Sequence, residues 1–342
     1  MDLALYDPEC GYYARASRRS GRAGDFFSSV DVGPLFGELL EIEIAEMAAI
    51  LGTAAEPFDL VEAGAGNGRL AADMLRTART RDPALYHRTR LHLVEASAEA
   101  RAAQRAALGD VFDRLASSSS ILPEAFDGVL VANELLDAMP VHQAVMRADG
   151  LREVFVDVGK DERHLVTREG PPSTPALGAY LERAGIRLEP GWMAEINLNA
   201  VEWIEDAARR LRRGFVILVD YGHDARDLYS AAHAAGTLSA FSRHTSGMGE
   251  TPGRPAWLQR PGEQDITAHV DFTSIRNAGE AAGLTTLGFL DQTYFLLGLT
   301  IASSSGSKAL PPSSLTNRLA LQTLLMPGGM GSTHKVLVFG KG

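Results

Sequence analysis

Gly64, Gly66 and Gly68 alternate with other residues directly after the apolar run Phe58-Asp59-Leu60-Val61-Glu62-Ala63. Glycines at the end of a first strand let the backbone approach a ligand closely, and a following helix N-terminus favours negative charge. A pyrophosphate loop would read G-x-G-x-x-G, with an acid about 20 residues later. Here Arg69 takes the place of the late glycine, and Glu95, which ends the second apolar run, lies well beyond that distance. Glu62, just before the loop, would repel a phosphate but suits a sulfonium or an amino group. The pattern therefore fits a cationic nucleoside without phosphates, a description that S-adenosylmethionine meets. On this reading Glu62, Gly64, Gly66 and Gly68 receive the methionine end. Glu95 accepts hydrogen bonds from both ribose hydroxyls.

The elements that must position these residues follow from periodicity. Leu70, Met74, Leu75 and Ala78 have helical spacing, so the first unit reads strand, tight loop, helix. Residues 91–95 form a second strand, followed by a helix over 98–108. Residues 128–132 form a third strand that ends at Asn133 and Glu134. Val201, Ile204, Ala208 and Leu211 mark a helix feeding the strand 215–219, which leads into Asp220-Tyr221-Gly222. A last helix is expected near 315–325 and a last strand over 335–339. Continuous apolar strands alternating with helices imply a parallel sheet buried on both faces, an α/β fold. Asn133 and Glu134 then stand at its carboxyl edge, where ligands bind in open α/β folds, and are expected to contact the cofactor. Residues 141–166 read as an antiparallel insertion, 224–265 as a long loop beside the site, and 303–307 as a connector.

The chain has 342 residues and a formal charge of −10, which excludes gripping of nucleic acid by charge alone. A single cysteine, Cys10, excludes an internal disulfide framework and a cysteine-based zinc cluster. His87, His92 and His233 lack metal-ligand spacing, so no metal site is expected. The start of the chain lacks a secretory pattern, and apolar stretches such as Tyr294-Phe295-Leu296-Leu297 are too short to span a membrane. The expectation is a cytoplasmic protein without membrane insertion.

Longer strings carry a more specific signal: Ala4-Leu5-Tyr6-Asp7-Pro8, Gly11-Tyr12-Tyr13, Gly21-Arg22-Ala23-Gly24-Asp25-Phe26, Val94-Glu95-Ala96-Ser97, Asn133-Glu134-Leu135-Leu136-Asp137-Ala138-Met139-Pro140, Asp220-Tyr221-Gly222-His223 and Thr267-Ala268-His269-Val270-Asp271-Phe272. Over nearly its whole length the chain resembles the MidA-like methyltransferases, which are related to the mitochondrial complex I assembly factor that methylates a protein arginine. The resemblance implies a class I, Rossmann-like methyltransferase with a seven-stranded, mostly parallel sheet and an antiparallel last strand. It implies an N-terminal segment, 1–50, whose Gly24 and Asp25 fold over the cofactor. A methyltransferase domain would follow over 51–342, with substrate-side insertions at about 141–195 and 224–265. The implied substrate is an arginine of a partner protein, with a respiratory-complex subunit as the partner the family suggests.

Carboxylates could orient a guanidinium through bidentate bonds and hold its charge away from the attacking nitrogen. Glu134 and Asp137, three residues apart, can share one face of a helical turn and are the first choice for that clamp. The alternative is that Glu134 only caps or binds cofactor while Asp137 is a solvated first-turn acid. Asp220 is either a substrate contact or a turn residue. Asp25 either holds the cofactor or caps the helix starting near Pro34. His269 is either a proton acceptor near neutral pH or a partly buried histidine bonded to Asp271. Two other functions stay open: methyl transfer to a small metabolite, and an assembly factor that binds the donor without transfer.

Overall fold

The first expected strand is β1 (Phe58–Ala63), buried at every position, as a central parallel strand covered on both faces must be. A computed structural model describes residues 1–14, 28–52, 57–161, 164–242, 245–246, 255–304, 315–326 and 330–342; Gly24 and Asp25 lie outside them. After β1 come β2 (Thr89–Val94), β3 (Leu115–Ser119) and β4 (Phe126–Asn133). Four shorter strands follow, β5 (His142–Arg147), β6 (Gly150–Val158), β7 (Leu165–Gly170) and β8 (Met193–Ile196), and then the long β9 (Leu211–His223). The chain continues through β10 (Ser239–Ser242), β11 (Thr245–Ser246), β12 (Asp265–Thr267) and β13 (Val270–Asp271) to β14 (Thr285–Asp291) and β15 (His334–Lys341).

The main sheet runs β14-β15-β9-β4-β1-β2-β3, with β13 pairing β9 outside that path. Neighbours from β3 through β9 are parallel, and β15 alone runs antiparallel to both of its neighbours. The seven-stranded, mostly parallel sheet with an antiparallel last strand is the expected class I arrangement.

Adjacent strand residues point to opposite faces, and the core follows that period. Leu60, Val129 and Ile217 pack with the helices Leu35–Leu51 and Arg69–Arg81, whereas Val61, Leu130 and Val216 pack with Leu198–Arg210 and Phe272–Ala281. Each fully buried Leu, Ile or Val side chain contributes about 1.5–3 kcal/mol. These layers hold the strand ends, and hence the loops of the site, in fixed register.

Between β4 and β9 an antiparallel sheet in the order β7-β6-β5-β8 is backed by the helix Ala176–Arg183. Residues 224–265, expected to be a long loop, instead contain the helix Ala225–Leu228 and most of a small sheet ordered β11-β10-β12. These strands are too short and too polar to show alternation. β3, Leu-Ala-Ser-Ser-Ser, was likewise not expected; it is an edge strand held by its backbone pairing with β2. Ser303 and Ser304 belong to the helix Gln292–Ser304 rather than to a connector.

Candidate active site

The loops after β1, β2 and β4 meet at the carboxyl edge of the sheet. Gly64 and Ala65 donate their N–H groups to the Val94 carbonyl at 2.9 and 3.0 Å, which ties the end of β1 to the end of β2. Gly64, Gly66 and Gly68 have φ of +71°, +50° and +83°, a region that glycine enters without a Cβ penalty. A Cβ on Gly66 would meet nothing within 4 Å, whereas one on Gly68 would meet Leu93 Cδ1 at 3.1 Å. Glu95 accepts the Gly66 N–H at 2.8 Å and the Ser97 N–H at 2.7 Å, one on each oxygen. Its carboxylate is thereby locked at the end of β2.

Gly64, Gly66, Glu95 and Ser97 border a cavity of about 510 Å³, which Glu134, Asp137, Tyr6, Tyr12 and Tyr13 also line, whereas Gly68, expected at the cofactor, lies outside its lining and against Leu93. The Tyr6 hydroxyl donates to the Ala138 carbonyl at 2.9 Å, and the Tyr13 hydroxyl donates to Asp265 at 2.9 Å. The start of the chain is thus fastened across the cavity to the loop after β4 and to β12. Tyr6, Tyr12, Tyr13 and Asp265 were given no role from sequence. The available signal was three tyrosines clustered around Pro8 and Gly11. A larger cleft of about 710 Å³ lies over the inserted sheet, bordered by Arg147, Glu169 and Trp257, and none of the glycine loop reaches it.

Several expected contacts fall elsewhere. Glu62 is buried beneath the helix Arg69–Arg81 and accepts the Ala71 N–H at 3.0 Å, so it caps that helix instead of lining the cavity. Burial pushes its carboxyl up to about 8, against the pull of that hydrogen bond. Asn133 also lies outside the lining, with a buried Oδ1 that has no hydrogen-bond partner among the described residues.

Glu134 has φ of +50°, unusual for a residue with a side chain. Its N–H donates to the Val219 carbonyl at 2.8 Å, and its carboxylate accepts the Ser29 N–H at 3.2 Å and lies 3.4 Å from His334 Nε2. Asp137 is buried rather than solvated. Burial, with the Asp220 and Glu134 carboxylates close by, holds its carboxyl well above the usual range, and its Oδ1 has no hydrogen-bond partner among the described residues. Asp220, pushed up to about 7 chiefly by burial, accepts the N–H groups of Leu135 and Leu136 and lines no part of the cavity. It holds the loop that carries Glu134 and Asp137.

His269 is not bonded to Asp271, whose carboxylate instead accepts the Ser274 N–H and hydroxyl as a helix cap. It stands against His223 and His233, with ring centroids 5.3 and 5.9 Å away, and burial beside them pushes it down to about 4. That places it outside the cavity. His92, by contrast, bonds Ser117 and Asp59.

A glycine that leaves open space, an anchored acid at the end of the second strand and a cavity between them suit an adenosyl group and its ribose. With the strand order, they define a class I methyltransferase. Residues 39–290 match the family described as "Putative S-adenosyl-L-methionine-dependent methyltransferase", and the chain belongs to that family. It is 32% identical to a solved structure from Burkholderia thailandensis bound to S-adenosyl-homocysteine, with a TM-score of 0.86 over 99% of this chain and 86% of that one. It is 30% identical to the Homo sapiens protein arginine methyltransferase NDUFAF7, mitochondrial, over 88% of this chain and 69% of that protein. The Drosophila melanogaster homologue is 27% identical over 98% and 79%. S-adenosylmethionine is therefore the cofactor, and the chain is a methyltransferase.

The same comparisons overturn the cytoplasmic expectation, because these animal relatives are named as mitochondrial proteins. That expectation rested on the absence of a secretory pattern and of an apolar span. Among the described residues no helix is long and apolar enough to cross a membrane, and that fact does not distinguish one aqueous compartment from another.

Proposed function

We propose that this chain methylates an arginine side chain of a partner protein. The observation that carries the reading is Asp137, a buried carboxyl on the cavity wall with an oxygen that has no hydrogen-bond partner among the described residues. S-adenosylmethionine, when bound, supplies an electrophilic methyl group on a sulfonium. Gly66 leaves room for it and Glu95 offers the acceptor for its ribose hydroxyls.

An arginine side chain stays protonated, with a pKa above about 12, so it enters the cavity as a cation. Glu134 is oriented by Ser29 and His334, three residues from Asp137. Without a cation Asp137 favours its protonated form; an arriving guanidinium favours ionisation and gains a charge-assisted hydrogen bond. Such a site selects a cationic side chain over a neutral metabolite. Tyr6 and Tyr13 close the cavity and limit water around the reacting nitrogen. The names of the animal relatives support arginine as the acceptor. The resemblance to a family related to a complex I assembly factor supports a respiratory-complex subunit as the partner.

The test is incubation with methyl-labelled donor and host lysate. Label in one protein band, recovered as methylarginine after digestion, is the expected result. Label confined to the small-molecule fraction, or donor binding without transfer, overturns it. Glu95→Ala weakens donor binding by more than about 1 kcal/mol in calorimetry if its carboxylate accepts the ribose hydroxyls.

A further inference from the structure

We propose that His223, His233 and His269 form a binding site for a divalent zinc ion, next to the active-site cavity but outside its lining. The three side chains each offer a ring nitrogen, and these atoms all lie within 4.8 Å of one another. They come from three separate elements: the end of β9, the short turn Ala231–His233, and the link between β12 and β13. The wide spacing in sequence is why no metal site was expected.

Two features go beyond proximity. The His269 Nδ1 is buried with no hydrogen-bond partner among the described residues, a cost that a metal bond would remove. The His233 Nδ1 lies 3.1 Å from the Asp227 carbonyl. A proton held there leaves the Nε2 lone pair free, which is how histidine ligands are commonly oriented by a second partner. Asp227 and Asp291 face His223 with negative charge, opposed by Lys335.

Imidazole nitrogens suit zinc, which takes them at about 2.0–2.1 Å in a tetrahedron, so the nitrogens would sit about 3.4 Å apart. All three side chains are only part-buried, and ligation would draw their ring nitrogens together. Three histidines leave a fourth position for water. The ion would pin the turn at His233 to the sheet edge. The Ala268 N–H already bonds the Asp137 carbonyl at 3.0 Å, so the pinned segment directly abuts the acid loop.

The test uses untagged, chelator-treated protein titrated with zinc chloride in a calorimeter, with metal content measured by mass spectrometry. One equivalent bound per chain is expected, at least a hundred-fold more weakly in His233→Ala. His233→Gln serves as a second variant of similar size, and far-ultraviolet circular dichroism confirms that both fold. No stoichiometric binding by the parent overturns the proposal. So does binding that survives unchanged in both folded variants, which would place the ion on surface carboxylates.

Discussion

The Asp220 carboxylate accepts the Leu136 N–H at 2.8 Å, and the same oxygen accepts the Leu135 N–H at 3.1 Å. One strand end thereby holds the loop that carries Glu134 and Asp137. The loop needs the restraint, because Glu134 keeps a left-handed backbone that costs about 1–3 kcal/mol. Asp220→Ala leaves both N–H groups without a partner. It should lower stability by about 2 kcal/mol or more in denaturant titration and reduce kcat. Asp220→Asn, whose amide oxygen can accept the same bonds, should recover part of both. Unchanged stability in the alanine variant would remove Asp220 from this role.

Gly66 and Gly68 should respond differently to alanine. Both have positive φ, so each substitution costs about 1 kcal/mol in backbone strain. At Gly68 the new methyl also presses Leu93, and melting temperature should fall most there. At Gly66 the methyl enters open space on the cavity side, so donor affinity measured by calorimetry should fall while stability changes less. Equal effects of the two variants on donor affinity would show that Gly66 does not face the donor.

The central strands, the glycine turn and Glu95 were legible because each depends on local pattern: an apolar run, a residue type that tolerates positive φ, an acid at a strand end. Glu62 was placed at the cofactor because its position beside the loop was visible and its direction was not. It sits on a strand buried on both faces, so its carboxyl turns under the next helix. Burial of Asp137 and assembly of the three histidines depend on distant elements arriving together, which no spacing encodes. The tyrosine cover has the same origin. Tyr13 meets Asp265 across most of the chain.

Asp137 should give acceptor recognition a pH dependence. Its carboxyl, held above the usual range by burial and by Asp220 and Glu134, is protonated to higher pH than an exposed acid. Rising pH creates the anion that a guanidinium needs, so kcat/KM for the protein acceptor should increase with pH above the ordinary carboxylate range. Asp137→Asn cannot ionise; it should lower kcat/KM about 10- to 100-fold and flatten that rise, with donor affinity little changed. A variant that keeps the parent's pH profile would assign the titration to another group.

Glu62 offers a stability test that leaves the substrate out. Its folded-state value, about 8, lies above the ordinary 4.5, so the folded protein keeps this proton where the unfolded chain has lost it. The stabilisation from Glu62 is therefore fully present below about 4.5, declines as pH rises, and is gone above about 8. The slope is at most about 1.4 kcal/mol per pH unit. Glu62→Gln is neutral throughout and keeps an oxygen for the Ala71 N–H. Measured by urea unfolding from pH 5 to 9, the variant should gain stability relative to the parent as pH rises, then run parallel to it. Parallel curves across the whole range would mean that Glu62 folds as an anion, with the helix N-terminus outweighing burial.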